Sequence, residues 1–217
     1  MSADSPLWQP SPERIERANL SRFLRFACEQ ADESIADYPS LYDFSIRHPQ
    51  AFWPLVWEFC GVRATGEFEP VLVDADKMPG AHWFPHVRLN FAQNLLRFKD
   101  DKPALIFRNE WGHAREYGYA QLRAEVGRIA HALKQAGVVS GDRVAGFLPN
   151  IPETVIAMLA CVSLGATWSS CSPDFGVNGV LDRFGQIEPK VLICADAYAY
   201  GGKRPDCLAK VREVLAA

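Results

Sequence analysis

The chain has 217 residues, 48% apolar and 23% charged, the composition of an ordinary globular protein long enough to bury a core. Its 23 Lys plus Arg against 26 Asp plus Glu leave a net charge of -3, which excludes the basic footprint of a nucleic-acid binder. No run of 18 apolar residues offers a membrane span, and residues 1–6 lack the basic and apolar stretches of a signal peptide.

Up to about residue 100 the sequence reads as helical pieces joined by proline-broken loops and crowded with aromatics. Residues 12–30 follow Ser11, a suitable N-cap, and begin on Pro12; Ile15, Phe23 and Phe26 then fall on roughly one face. Residues 49–61 are a stronger helix. Phe52, Trp53, Val56, Trp57 and Cys60 recur at i, i+1, i+4, i+5 and i+8, and Gly61 supplies the stop. Residues 68–88 contain Pro70, Pro79, Gly80 and Pro85, which predicts a long connection with room for one short strand. Residues 89–98 close this half as a short amphipathic helix.

From Lys102 the pattern becomes α/β. Residues 104–107 and 114–117 read as two strands of an antiparallel hairpin turned at 109–113. Leu122, Val126, Ile129 and Leu133 mark one stripe of a helix that ends at Gly137. Strands follow at 143–148, 166–171 and 190–194, about 24 residues apart, with helices at 152–164 and around 177–187 between them. That beat is the signature of right-handed βαβ crossovers building a parallel sheet. Leu208, Val211 and Leu215 mark a last helix. The expected fold is therefore α/β, an incomplete parallel βαβ sheet preceded by a helical, aromatic-rich N-terminal region, with domains at 1–100 and 101–217. An open parallel sheet normally has more than three such strands, so an uncovered edge favouring aggregation is expected.

Searches for local chemistry exclude more than they find. The sequence has no GxxxxGK[ST], no GxGxxG after a strand and no GxSxG elbow. His82 and His86 are four apart, but Pro85 intervenes and no carboxylate completes a zinc motif; they read as loop histidines beside Trp83. Cysteines 28, 60, 161, 171, 194 and 207 lack CxxC spacing and read as reduced core thiols of a cytoplasmic protein.

Two loops remain. The strand ending at Cys171 runs into Ser172, Pro173, Asp174, Phe175 and Gly176, which open a helix. A loop leaving the carboxyl end of a parallel strand is where such sheets place ligands, and helix N–H groups there favour phosphate. The same residues also fit a simpler role, with Asp174 as the N-cap of a helix that covers the sheet. The second loop, 196–204, carries Tyr198, Tyr200, Gly201, Gly202, Lys203 and Arg204. Its aromatics, glycines and cations suit an adenine and its phosphates, or merely a solvated surface.

At these residues the sequence resembles a known family. NIPE at 150–153, AMLA at 157–160, LGATWSSCSPDFG at 164–176 and LDRFGQIEPK at 181–190 are similar to acyl-CoA synthetases of the adenylate-forming superfamily, and within it to the acetoacetate–CoA ligases. Residues 6–14 and 83–96 resemble the same enzymes' N-terminal region. Where the acetate-specific relatives carry Gly-Gly-Phe, this chain has Pro173, Asp174 and Phe175.

The resemblance implies that residues 1–100 form the N-terminal region of an acetyl-CoA-synthetase-type enzyme and 101–217 the first part of an AMP-binding domain. It implies a ligase of fatty-acid or ketone-body metabolism that uses ATP, Mg and CoA. An acid attacks the ATP α-phosphate to give an acyl-adenylate and pyrophosphate, and the CoA thiol then displaces AMP. The family's Ser/Thr/Gly-rich loop ending in Pro-Lys and its catalytic lysine domain are not found in this sequence, so no catalytic and no metal-binding residue is assigned. The implied CoA contacts are Pro173, Asp174, Phe175, Gly176, Tyr200, Gly201, Gly202, Lys203 and Arg204. Lys203 would face a phosphate, and Tyr200 stands where the acetate enzymes tend to have arginine. The expected partners are small molecules and neither nucleic acid nor membrane. The remaining two thirds of such an enzyme as a separate chain, and a stand-alone CoA- or nucleotide-binding module, are the alternatives.

Overall fold

A computed structural model describes residues 6–31 and 33–217. Most of the segment read for a signal peptide, residues 1–5, lies outside the described residues. The chain divides into two compact units, one ending at Arg88 and the other spanning Leu89–Ala217.

The first unit contains α1 (Pro12–Glu16), α2 (Asn19–Gln30), α3 (Tyr38–Arg47) and α4 (Pro49–Cys60). Ser11 caps α1 by accepting from the Arg14 N–H at 3.3 Å. The single helix expected over 12–30 is two, because Ala18 is extended and the Ser21 hydroxyl donates to the Ile15 carbonyl at 2.5 Å, turning the chain. Ile15 is exposed in consequence, while Phe23 and Ala27 are buried. Periodicity does not single out α3, which is started by a reciprocal cap. The Asp37 carboxylate accepts from the Ser40 N–H at 2.9 Å, and the Ser40 hydroxyl accepts from the Asp37 N–H at 3.1 Å.

On α4, Phe52, Leu55, Val56 and Phe59 pack against a core of Phe23, Ala27, Ile35, Leu41 and Phe44. Gly61 ends the helix in the left-handed conformation, φ 59°. Trp53 and Trp57 leave that core stripe. They pack instead against the following connection, Trp53 edge-to-face with Trp83 at 5.9 Å between ring centres and Trp57 tilted against Phe84 at 5.0 Å. That connection holds more strand than expected: β1 (Thr65–Gly66), β2 (Leu72–Val73), β3 (His82–Trp83) and β4 (Val87–Arg88), paired antiparallel as β1–β4 and β2–β3. Aromatic packing onto α4 gives these two-residue ribbons a surface that their own length cannot supply. His82 and His86 are exposed, but His82 lies in β3 rather than in a loop. Cys28 and Cys60 are exposed too, so two of the six cysteines are not core thiols.

The second unit follows the expected order closely. It comprises α5 (Phe91–Leu95), β5 (Pro103–Arg108), β6 (Ala114–Gly118), α6 (Tyr119–Gln135), β7 (Arg143–Phe147), α7 (Pro152–Ser163), β8 (Thr167–Cys171), α8 (Val177–Phe184), β9 (Val191–Cys194) and α9 (Leu208–Ala216). β5 and β6 form the antiparallel hairpin. The parallel sheet has the order β8-β7-β9, with Val144 opposite both Trp168 and Val191.

β7 is the middle strand and its residues alternate between two cores. Val144 packs with Leu122, Val126, Ile156 and Leu159 of α6 and α7. Ala145 and Phe147 pack on the opposite face with Val180, Phe184 and Val211 of α8 and α9. Trp168 lies across Gly146 on the first of these faces. A Cβ on Gly146 would meet the Trp168 ring at 2.5 Å, so the absence of a side chain is what lets the indole reach the central strand. Gly146→Ala is therefore expected to destabilise the chain by about 1–3 kcal/mol through overpacking, measured as a lowered urea midpoint at unchanged slope. An unchanged midpoint would show that the indole is free to move aside.

Candidate functional site

The crossover from β7 to β8 carries α7 on one face of the sheet, and the crossover from β8 to β9 carries α8 on the other. The chain thus reverses direction about β7, and a crevice opens beyond the carboxyl ends of the strands. A cavity of about 1010 Å³ lies there. Its walls are the β5–β6 turn with its flanks (residues 107–111 and 113–115), Pro149 to Ile151 after β7, Ser172 and Asp174 after β8, and Ala197 to Tyr200 with Arg204 after β9.

Asp174 is the polar centre of this region. The Tyr198 hydroxyl donates to its Oδ1 at 2.5 Å and the Ser172 hydroxyl to its Oδ2 at 2.7 Å. These bonds hold the Asp174 carboxyl below the usual carboxylate range, the Tyr198 contribution being the larger. The bound carboxylate in turn pushes the Tyr198 phenol up to about 12. Asp174 does not cap the next helix. The N-cap of α8 is Gly176, which makes no side-chain bond, because the Asp174 oxygens are turned toward Tyr198 and Ser172. The loop is tied from behind by Lys210, whose ammonium donates to the Pro173 carbonyl at 2.7 Å and the Phe175 carbonyl at 3.3 Å.

The second loop turns tightly. Tyr200 and Lys203 exchange both backbone hydrogen bonds at 3.0 Å across Gly201 and Gly202, which have φ of 57° and 71°. Two consecutive positive φ values are the geometry of a two-residue hairpin turn, and they explain the glycine pair. The Glu110 carboxylate, from the β5–β6 turn, accepts from the Gly201 and Gly202 N–H groups at 3.1 and 2.9 Å. Arg204 reaches Asp196 at 3.4 Å with both side chains exposed. Lys203 has no ion-pair partner among the described residues. On the neighbouring wall, Arg115 pairs with Glu153 in the first turn of α7, its Nη2 lying 2.8 Å from Oε2.

Of the nine residues expected to contact CoA, Asp174, Tyr200 and Arg204 line the cavity. Pro173 is buried beneath it and Phe175 stacks under the Arg183 guanidinium, 4.0 Å from the ring centre. Gly176, Gly201, Gly202 and Lys203 sit in the two loops without lining the cavity wall. Trp168 packs on the core beside β7, as its strand position suggests. Sequence reading missed Glu110 and Lys210, whose partners lie 91 and 37 residues away or about as far, and no local pattern links such positions. Tyr198 had a weak signal in the Tyr-x-Tyr spacing of its loop. Burial pushes the Cys171 and Cys207 thiols up, and Cys161 up to about 11, and none of the three lines the cavity.

Among the described residues no group of three or more His, Cys, Asp or Glu side chains has metal-binding geometry. No described helix is long and apolar enough to cross a membrane. The donors that fit an anionic group are the paired glycine N–H groups with Lys203 and Arg204 beside them.

Residues 91–216 match the AMP-binding enzyme family, and residues 38–95 match the acetyl-coenzyme A synthetase N-terminus. The acetoacetyl-coenzyme A synthetase of Rhizobium meliloti (strain 1021) is 50% identical over 215 residues, covering 99% of this chain and 33% of its own length. The acetoacetyl-CoA synthetase of Danio rerio is 41% identical, covering 96% of this chain and 31% of its own. A solved structure of acetoacetyl-CoA synthetase from Streptomyces lividans superposes with a TM-score of 0.90 at 42% identity, over 97% of this chain and 33% of that one. The chain spans about a third of the length of the curated relatives it matches.

The Asp174–Tyr198 bond has a signed pH consequence. The lowered Asp174 pKa contributes stability that is present above the ordinary carboxylate range and lost as pH falls through the lowered value. The raised Tyr198 pKa contributes stability that is full below its ordinary value near 10 and lost as pH rises through about 12. Tyr198→Phe is expected to raise the Asp174 pKa toward the ordinary range and to remove the late-ionising phenol. Carboxyl-carbon NMR titration and alkaline absorbance read these two effects; an unmoved Asp174 titration would show that the bond does not form in solution.

Proposed function

The chain belongs to the AMP-binding enzyme family, and we propose that it is the N-terminal part of an acetoacetate–CoA ligase, which joins acetoacetate to CoA at the expense of ATP through an acyl-adenylate. The observation that carries this reading is the extent of the likeness: it runs along 99% of the chain at 50% identity to an acetoacetyl-coenzyme A synthetase rather than through one motif.

In this reading the 217 residues supply the CoA side of the reaction. The Lys203 ammonium, which has no ion-pair partner among the described residues, and the Arg204 guanidinium, in a long contact with Asp196, face a phosphate of CoA. Gly201 and Gly202, which carry no side chain, permit close approach of the ligand to backbone. The loop from Pro173 to Gly176 guides the pantetheine arm, with Asp174 fixed by Tyr198 and Ser172 so that the wall keeps its shape. Delivering a thiol in line with an acyl carbon is a positioning task, and a rigid wall is what it requires. The parts that hold ATP and Mg and the lysine that offsets charge at phosphorus are assigned to the other two thirds of the enzyme, on the same polypeptide or on a separate chain. Tyr200 replaces a cation found in acetate-specific relatives, which leaves Lys203 and Arg204 as the loop's two positive charges.

Two measurements test this. The purified 217-residue chain is expected to show no acetoacetate-dependent pyrophosphate release, and measurable turnover would overturn the assignment of adenylation to the remaining residues. CoA binding followed by calorimetry is expected to weaken about tenfold in Lys203→Glu, the loss of one charge-assisted phosphate contact. Equal affinity in the variant would remove Lys203 from the CoA site.

A further inference from the structure

Glu110 occupies an unusual place. Two successive N–H groups of a tight turn can present one anion-binding concavity, a nest. In this chain that concavity is filled by the protein's own carboxylate, one oxygen on each N–H, at 3.1 and 2.9 Å. The surroundings favour more negative charge than one carboxylate brings. Lys203 follows immediately with no ion pair among the described residues, Arg204 holds only a 3.4 Å contact to Asp196, and both are exposed. The space beside the glycines is open, with nothing within 4 Å of a Cβ built on either. Glu110 is itself held ready. The Asn109 side chain accepts from the Trp111 and His113 N–H groups at 3.1 and 3.0 Å, which fixes the turn and keeps Glu110 at its tip.

We propose that Glu110 is an internal competitor for a phosphate-binding nest at Gly201 and Gly202, so that it sets the affinity of the loop for a phosphate monoester and must swing out when one binds. The inference rests on the CoA reading above for the natural ligand, whereas the nest and its occupant stand on geometry. It also gives Glu110 a specificity role. A phosphate dianion, with a third oxygen to offer Lys203 or Arg204, displaces the carboxylate, while a free carboxylate such as acetate gains nothing over Glu110.

The test uses the 217-residue chain with glycine-selective 15N labelling, titrated with inorganic phosphate at constant pH and ionic strength, and with acetate as control. The Gly201 and Gly202 amide resonances are expected to shift saturably with phosphate and not with acetate. In Glu110→Gln the phosphate midpoint is expected to fall about tenfold, the gain from removing one charged competitor. Glu110→Ala, which removes the acceptor altogether, is expected to change the midpoint in the same direction. A midpoint that is unchanged or higher in both variants overturns the proposal, as does the absence of any phosphate shift at the two glycines in all three proteins. The CoA reading fails separately: phosphate shifts that persist while CoA gives no heat would retain the nest and discard CoA as its ligand.

Discussion

The second unit depends on β7 being dry on both faces. A five-residue strand cannot satisfy its own backbone, so it is stable in the interior only with a strand on each side, and β8 and β9 supply those partners. Its side chains must then alternate between two separate cores. Val144 goes to α6 and α7, and Ala145 and Phe147 go to α8 and α9. Gly146 yields its place to the Trp168 ring. Once β7 is central, right-handed crossovers force α7 and α8 onto opposite faces, and the crevice beyond the strand ends follows from the same geometry.

The loops around that crevice are held by polar contacts of long sequence separation as well as by packing of Pro173 and Tyr198. Lys210 on α9 braces the carbonyls after β8, Tyr198 after β9 grips Asp174 after β8, and Glu110 from the hairpin reaches the glycines after β9. Each bond ties a loop to a segment from a different part of the sequence, so the walls of the cavity constrain one another. Apart from the part-buried Lys210–Pro173 contact these bonds are exposed, and their net contribution to global stability is small. Their effect is on position: Asp174 is turned away from the helix it could have capped, and the glycine turn is covered by a carboxylate.

Much of the second unit was legible in the sequence because its signals are local and strong. The stripe Leu122, Val126, Ile129 and Leu133, the apolar run of α7, and three strands at a regular interval each state their own structure, and the hairpin, crossovers and last helix formed where they were read. The first unit was less legible. The break at Ala18 is made by the Ser21 hydroxyl and leaves no periodic trace. The ribbons in residues 65–88 exist because aromatics pack on α4, and α4 itself shows two aromatic faces where the pattern suggested one. Of the candidate site, the two loops were found from their position after parallel strands, but their internal bonding was not.

The sequence by itself determined the class of fold, the order of its elements and, by resemblance, the family, because short-range periodicity and contiguous phrases carry that information within a few residues. Only the tertiary structure decided that β7 lies between β8 and β9, that Asp174 is a hydrogen-bonded wall rather than a helix cap, and that Glu110 sits on Gly201 and Gly202. Those outcomes are set by which loops the sheet brings together. The partners are as far as 92 residues apart along the chain, and no pattern in either segment names the other.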